Sequence, residues 1–236
     1  MAAFGCATPT ALVVSVGHAT SEVAAIIDGD LDVSLYERLL VGGALVDETI
    51  RVKMTDKYGG DLKVARATKE NVALFSSIDT VDPELVNIFE PLLIGELNQE
   101  SPSLSIIGAI RTVLQRAESE MRSSLFDHII LTGPLSRNPL LATRLKHHLA
   151  RELLTVSGNS GDSQLRSRIL DKSGQPVIEL RTVPAYYPEI WQRATPLAAW
   201  FGGGITAKCV LGDARNYYTG EDLRLHGKRI FKAKPV

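Results

Sequence analysis

The turn Gly17-His18-Ala19-Thr20 and the pair Lys69-Glu70 are the places where this sequence gathers groups able to do chemistry. An imidazole in a turn can serve as a ligand or a proton switch, with a solvated turn histidine as the plainer reading of His18. Lys69 and Glu70 are adjacent, so on a helix they do not face each other, and a solvated face is their plainer reading. His147-His148, beside Arg144 and Lys146, has the composition of a metal or nucleic-acid patch. It lies opposite Leu141, Leu145 and Leu149, where a polar face is expected in any case. Tyr186, Tyr187 and Trp191 form an aromatic group that suits either a partner surface or a core. Cys6 and Cys209 stand in no CxxC or CxxxH setting, so neither a disulfide framework nor a zinc site is indicated. The histidines share no motif with a nucleophile, and no Ser/His/Asp or Cys/His arrangement is present.

The elements that must position these groups are readable from periodicity. Ala11–Val16 is a β-branched run, residues 17–20 a turn, and Val23–Ile27 a second run closed by Asp28-Gly29, which together predict a hairpin. A further strand falls within Leu31–Val41. Gly42-Gly43 then opens a helix through Ala44-Leu-Val-Asp47 and beyond. Ile106, Ile110, Val113, Ala117, Met121 and Leu125 recur three or four apart and predict one amphipathic helix from 106 to 125. His128–Leu131 is a buried strand, Thr132–Ser136 a turn, and Leu141, Leu145 and Leu149 mark the next helix. The polar stretch 156–171 reads as an exposed insertion before a strand near Val177–Leu180. Ala198–Leu211 reads as a small-residue helix whose glycines 202–204 bring it close to the sheet. The order of elements is that of an α/β layer.

Several segments in order resemble the C-terminal half of the actin family. Ala11–Gly29 is similar to its second phosphate-binding hairpin, and Leu40-Val-Gly-Gly-Ala-Leu-Val-Asp47 to the glycine turn and helix that follow, with Ala44 in place of an arginine. Lys69-Glu70 resembles the pair that contacts adenosine, and Phe89-Glu-Pro-Leu-Leu-Ile-Gly95 a conserved-pattern segment of the family. Glu120–Phe126 with Ile129–Pro139 resembles the helix, strand and adenine loop. Trp200-Phe-Gly-Gly-Gly-Ile-Thr-Ala207 resembles the tryptophan-glycine helix, and Tyr218–Gly227 the final segment.

The resemblance implies an α/β, actin-like ATPase (ribonuclease-H-like) fold with one main lobe, a reduced outer subdomain and a first lobe largely missing. On that plan residues 1–236 are one partial domain: 11–43 hairpin and strand, 44–95 reduced subdomain, 96–211 main lobe, and 212–236 tail. It also implies a degenerate nucleotide site at Ser15, Gly17, His18, Lys69, Glu70 and Gly133. The family's metal-facing aspartates fall on Ser15 and His18, and its last hairpin glycine on Ala19. At the adenine loop a glycine becomes Pro134, which lacks an N–H, and a tyrosine becomes Asn138. A hydroxyl and an imidazole cannot order hydrated Mg²⁺ as carboxylates do, so no catalysis and no metal are expected. No cofactor is expected either, ATP being the alternative.

Closest in pattern are the divergent fungal actin-related proteins of nuclear SWI/SNF and RSC chromatin remodellers. That likeness implies a structural, protein-binding subunit in the nucleus, holding a helix of the remodeller ATPase or another actin-fold subunit. Partner contacts are expected at Trp200, Phe201, Lys208, Tyr217 and Tyr218. Two alternatives are the pointed-end actin-related subunit of dynactin, a cytoplasmic cytoskeletal protein, and a nucleotide-binding or weakly hydrolysing superfamily member.

Composition narrows the classes independently. Twenty-six Lys and Arg against 27 Asp and Glu, with no long run of one sign, favour neither a nucleic-acid nor a membrane partner. A hydrophobic share of 44% supports a sizeable core. The first ten residues are too weakly apolar for a signal peptide, so an intracellular protein is expected.

Overall fold

The computed structural model describes residues 1–53, 55–71, 85–95, 105–160, 178–192, 194–210 and 220–227. It is a mixed α/β architecture built on a four-stranded sheet of order β3-β2-β1-β4. β1 (Ala11–Val16), β2 (Ser21–Ile27) and β3 (Asp30–Leu39) form an antiparallel meander, and β4 (Ile129–Thr132) pairs parallel with β1, Leu12 opposite Ile129. Asp28 and Gly29 both have positive φ, 52° and 92°, as a tight two-residue hairpin turn between β2 and β3 requires. Leu180 adds a parallel bridge to Ile129 at the open edge of β4.

Side chains alternate across the sheet, so each strand feeds two different cores. Leu12, Val14, Val16, Val23, Ala25, Ile129 and Leu131 join the larger one. Leu35 and Leu39 of β3 join it too, and helices on that side supply most of the rest: α2 (Gly43–Lys53), α4 (Leu62–Glu70), α5 (Glu90–Ile94), α6 (Ile106–Arg116), α7 (Ser119–Asp127) and α8 (Pro139–Ser160), with the short α3 (Thr55–Tyr58) following α2. Phe89, at the start of α5, is its largest fully buried side chain. Ala11, Ile26 and Ile130 point the other way and meet Ala2, Ala3, Cys6 and Ala198. These last come from α1 (Ala2–Gly5) and its following turn and from α10 (Ala198–Val210), which follows the short α9 (Glu189–Gln192); α11 (Gly220–His226) is the last element among the described residues. Burial pushes the Cys6 thiol up to about 11. Among the described residues no helix is long and apolar enough to cross a membrane.

Three expectations need correction. The single helix over 106–125 is two, because Ala117 and Glu118 are extended (ψ 147° at both). Arg122 makes the break tolerable: its Nε donates to Ala117 O at 2.9 Å and its Nη2 to Gln115 O at 3.1 Å, satisfying carbonyls the helix no longer uses. Residues 156–160, read as the start of an exposed insertion, belong to α8, which runs to Ser160. The close approach of the glycine helix is to α1 rather than to the sheet. A Cβ on Gly202 would stand 1.7 Å from Met1 O, and one on Gly5 2.1 Å from Ala198 O, whereas Gly203 and Gly204 face open space. Val177 and residues 161–171 lie outside the described residues.

Candidate functional site

The site forms where the β1–β2 turn meets the start of α2. Gly17 N–H donates to Thr20 O at 2.9 Å and closes the turn; its carbonyls then point at the helix. Gly43 N–H donates to Gly17 O (2.9 Å) and Ala44 N–H to His18 O (2.7 Å). The contact is so close that a Cβ on Gly42 would stand 2.7 Å from both carbonyl oxygens. Free amides at a helix N-terminus are what cradle phosphate. At α2 the amides of Gly43 and Ala44 are already bonded to the turn.

One helical turn further, Asp47 is buried with only 2% of its side chain exposed. Lys69 Nζ lies 2.6 Å from its Oδ1, Arg66 Nε 3.6 Å and His18 Nδ1 3.9 Å from its Oδ2. These are ion-pair contacts; neither oxygen has a directed hydrogen-bond partner among the described residues. Lys69 is therefore no solvated helix residue: its stem is buried and its ammonium also donates to Gly43 O at 3.0 Å. Glu70, next to it, is exposed. Asn138, buried at the start of α8, ties the same region together. Its Nδ2 donates to Lys69 O at 3.3 Å and its Oδ1 accepts from Leu140 N–H at 3.0 Å, capping the helix.

Above these groups lies a cavity of about 580 Å³. Gly17, His18, Lys69 and Glu70 line it, joined by Arg66, Pro134, Arg137 and Asn138. Two expected site residues do not. Ser15 is half-buried within β1, paired with Thr132 and Glu22. Gly133 packs against β1, where a Cβ would stand 2.6 Å from Val16 O, and its N–H donates to Pro196 O at 3.4 Å. No protein-family model matches the chain, and no curated protein matches it either.

Asp47, Arg66 and Arg137 were not picked out by motif. The signal for Arg66 is its position three before Lys69, on the same face of α4. Asp47 lies 22 residues before Lys69 in sequence, and only the tertiary packing of α2 on α4 joins them. The residues present do not fit a hydrated divalent metal with a nucleotide. Ser15 and His18 supply no carboxylate, Asp47 is covered by cations, and no group of three metal-holding side chains occurs among the described residues.

Three of the expected partner contacts lie on α10 and divide sharply. Trp200 is 71% exposed and Lys208 is exposed, but Phe201 is buried. Phe201 stacks on Trp191 with centroids 4.8 Å apart, Trp191 on Tyr187 at 5.5 Å, and Tyr187 contacts Tyr186 at 4.8 Å. With Trp200 edge-on to Phe201 at 5.4 Å, the group is a ladder running from exposed Tyr186 through half-buried Tyr187 and Trp191 and buried Phe201 to exposed Trp200, flanked by exposed Ile190 and Leu197. Tyr217 and Tyr218 lie outside the described residues.

The histidine pair is also corrected. His148 is buried, its Nε2 2.6 Å from Glu90 Oε2, and it ties α8 to α5 rather than facing solvent. Arg144 strengthens the tie, donating from Nε to Val86 O at 3.1 Å and from Nη2 to Asn87 Oδ1 at 2.7 Å. His147 remains on the surface, and partial desolvation, then the neighbouring His148 and Arg144, hold its pKa below the ordinary histidine value.

Proposed function

We propose that this chain is a non-catalytic, actin-like half-fold that serves as a protein-binding subunit of a larger complex. The observation that carries the reading is the sealed junction between hairpin and helix. Gly17 and His18 carbonyls take the first amides of α2, and Lys69 is held by Asp47. An ATPase of this superfamily cradles phosphate on the amides of its hairpins and holds Mg²⁺ through free carboxylates; here the hairpin's Gly17 N–H is taken by Thr20 O, and Ser15 and His18 stand where the carboxylates would. The sheet order supports the fold reading, since an antiparallel meander whose first strand pairs parallel with the next after helices is the pattern of a ribonuclease-H-like sheet. The exposed ends of the aromatic ladder, Tyr186 and Trp200 with Ile190, support a partner surface. Placement in a nuclear chromatin-remodelling complex, on a helix of its ATPase, rests on the sequence resemblance.

A remodeller ATPase helix immobilised as bait should capture the wild-type chain, and Trp200→Asp should abolish capture while leaving the melting temperature unchanged. Equal capture of both would sink the partner surface. Phe201 is unsuitable for this test because its ring is core. In parallel, millimolar Mg·ATP should leave the melting temperature where it is; a rise of several degrees would mean nucleotide binding to the folded state.

A further inference from the structure

The two outer edges of the sheet are finished differently. Along β3 the ladder to β2 is broken: Ala24 pairs with Tyr36 and Ile26 with Leu31, so residues 32–35 of β3 stand against Ala25 alone. The excursion closes on itself, since Ser34 N–H and the Ser34 hydroxyl both donate to Asp32 Oδ1, at 2.9 and 2.6 Å. Irregularity of this kind blunts an edge against pairing with another chain. The opposite edge keeps backbone groups free. Residues 178–182 run along β4 through one parallel bridge, Leu180 to Ile129, in which Arg181 N–H donates to Ile129 O at 2.7 Å. In that register the N–H and C=O of Leu180 itself point away from β4. They have no backbone partner among the described residues. Glu179, Arg181 and Thr182 are exposed, Leu180 is half-buried, and a cavity of about 650 Å³ lies beside the segment, walled also by Cys6, Ala7 and Tyr186.

Side chains alternate along an extended segment, so Glu179 and Arg181 project to one side and Leu180 to the other. The order acid, apolar, base is its own complement when read antiparallel. We propose that two copies of this chain join by antiparallel pairing of this segment about a two-fold axis at Leu180. The two Leu180 residues exchange N–H···O=C bonds, and Glu179 of each copy stands opposite Arg181 of the other, twice by symmetry. Opposite charges directly across an antiparallel pair stabilise it, and like charges oppose it. The register is fixed for the same reason: an axis at Glu179 or at Arg181 would set like charges against each other and would call on backbone groups that face β4. The net charge of −1 puts little long-range repulsion between the copies. This edge is separate from the Trp200 surface and adds self-association to the protein-binding role.

Sedimentation equilibrium of the full chain from about 1 to 200 µM, which brackets a weak interface, tests this. The wild-type chain should form a reversible dimer that weakens as salt rises. Arg181→Glu sets Glu against Glu twice and Glu179→Arg sets Arg against Arg, so each alone should lose about tenfold or more in dimer affinity. Mixed in equal amounts, the two variants should form a heterodimer at the wild-type affinity, because every cross pair is again opposite in charge. Arg181→Glu also removes the Nε bond to Asp127 O at 3.2 Å, so its melting temperature is compared with that of the wild type. The Glu179 side chain makes no hydrogen bond or ion pair with a described residue, so Glu179→Arg carries the loss of affinity without that complication. A wild-type chain that is monomeric throughout, single variants that dimerise as well as the wild type, or a mixture that stays monomeric would each overturn the proposal. None of these outcomes bears on capture through Trp200, so the two readings fail separately.

Discussion

The two faces of the sheet are held by opposite means. One is covered by large side chains from α2 and α4–α8, with Phe89, Ile88 and Ile110 fully enclosed. The other is covered by alanines, Cys6 and two glycines, at which α1 and α10 meet backbone to backbone. On the first face apolar volume excludes water; on the second, nearness of main chains does. The first is therefore vulnerable to losing atoms and the second to gaining them.

The largest expected effect follows from emptying the first face. Phe89→Ala should lower stability by about 3–5 kcal/mol, read by chemical denaturation, as removal of an enclosed aromatic ring does. A loss under about 1 kcal/mol would show that the face collapses freely and that the contrast is unfounded. Filling the second face comes next. Gly202→Val should cost about 1–3 kcal/mol or more by displacing α1, while Gly203→Ala, which meets open space, should gain up to about 1 kcal/mol as a better helix former. If both substitutions behave alike, the close approach of α1 is not what closes that face. The smallest effect is chemical. Cys209 is exposed and Cys6 buried with its thiol pushed up to about 11, so a thiol reagent at pH 8 should label Cys209 quickly and Cys6 only on denaturation. Rapid labelling of both would mean that α1 opens readily.

Local patterns were legible where backbone chemistry is local. Asp28-Gly29 announced its hairpin, Gly42-Gly43 the helix start, and the apolar stripe the burial of Ile106, Ile110 and Val113. The break at Ala117 and Glu118 was not, because neither residue is a helix breaker and the compensation comes from Arg122. His148 had a usable signal, standing three residues after Leu145 on the stripe, but the pair with His147 suggested a surface patch. For the site, the order of motifs pointed to the turn, Lys69 and the Pro134 loop, which do border one cavity. It missed the burial of Lys69, since a lysine in a polar helix shows nothing of an aspartate brought to it by packing. It also missed Gly202, because the alternative partner for a glycine helix, α1, lies in a stretch too short to show periodicity.

Strand β1 has its meander partner β2 a few residues away, but its other partner, β4, arrives only at Ile129. During synthesis this strongly apolar strand therefore has one unpaired edge while more than a hundred intervening residues emerge. At about 5–20 residues per second that interval lasts several seconds, long enough for an exposed edge to pair with another chain. Yield of this protein from a recombinant host is accordingly expected to rise with anything that shields residues 11–16 until residue 132 has appeared.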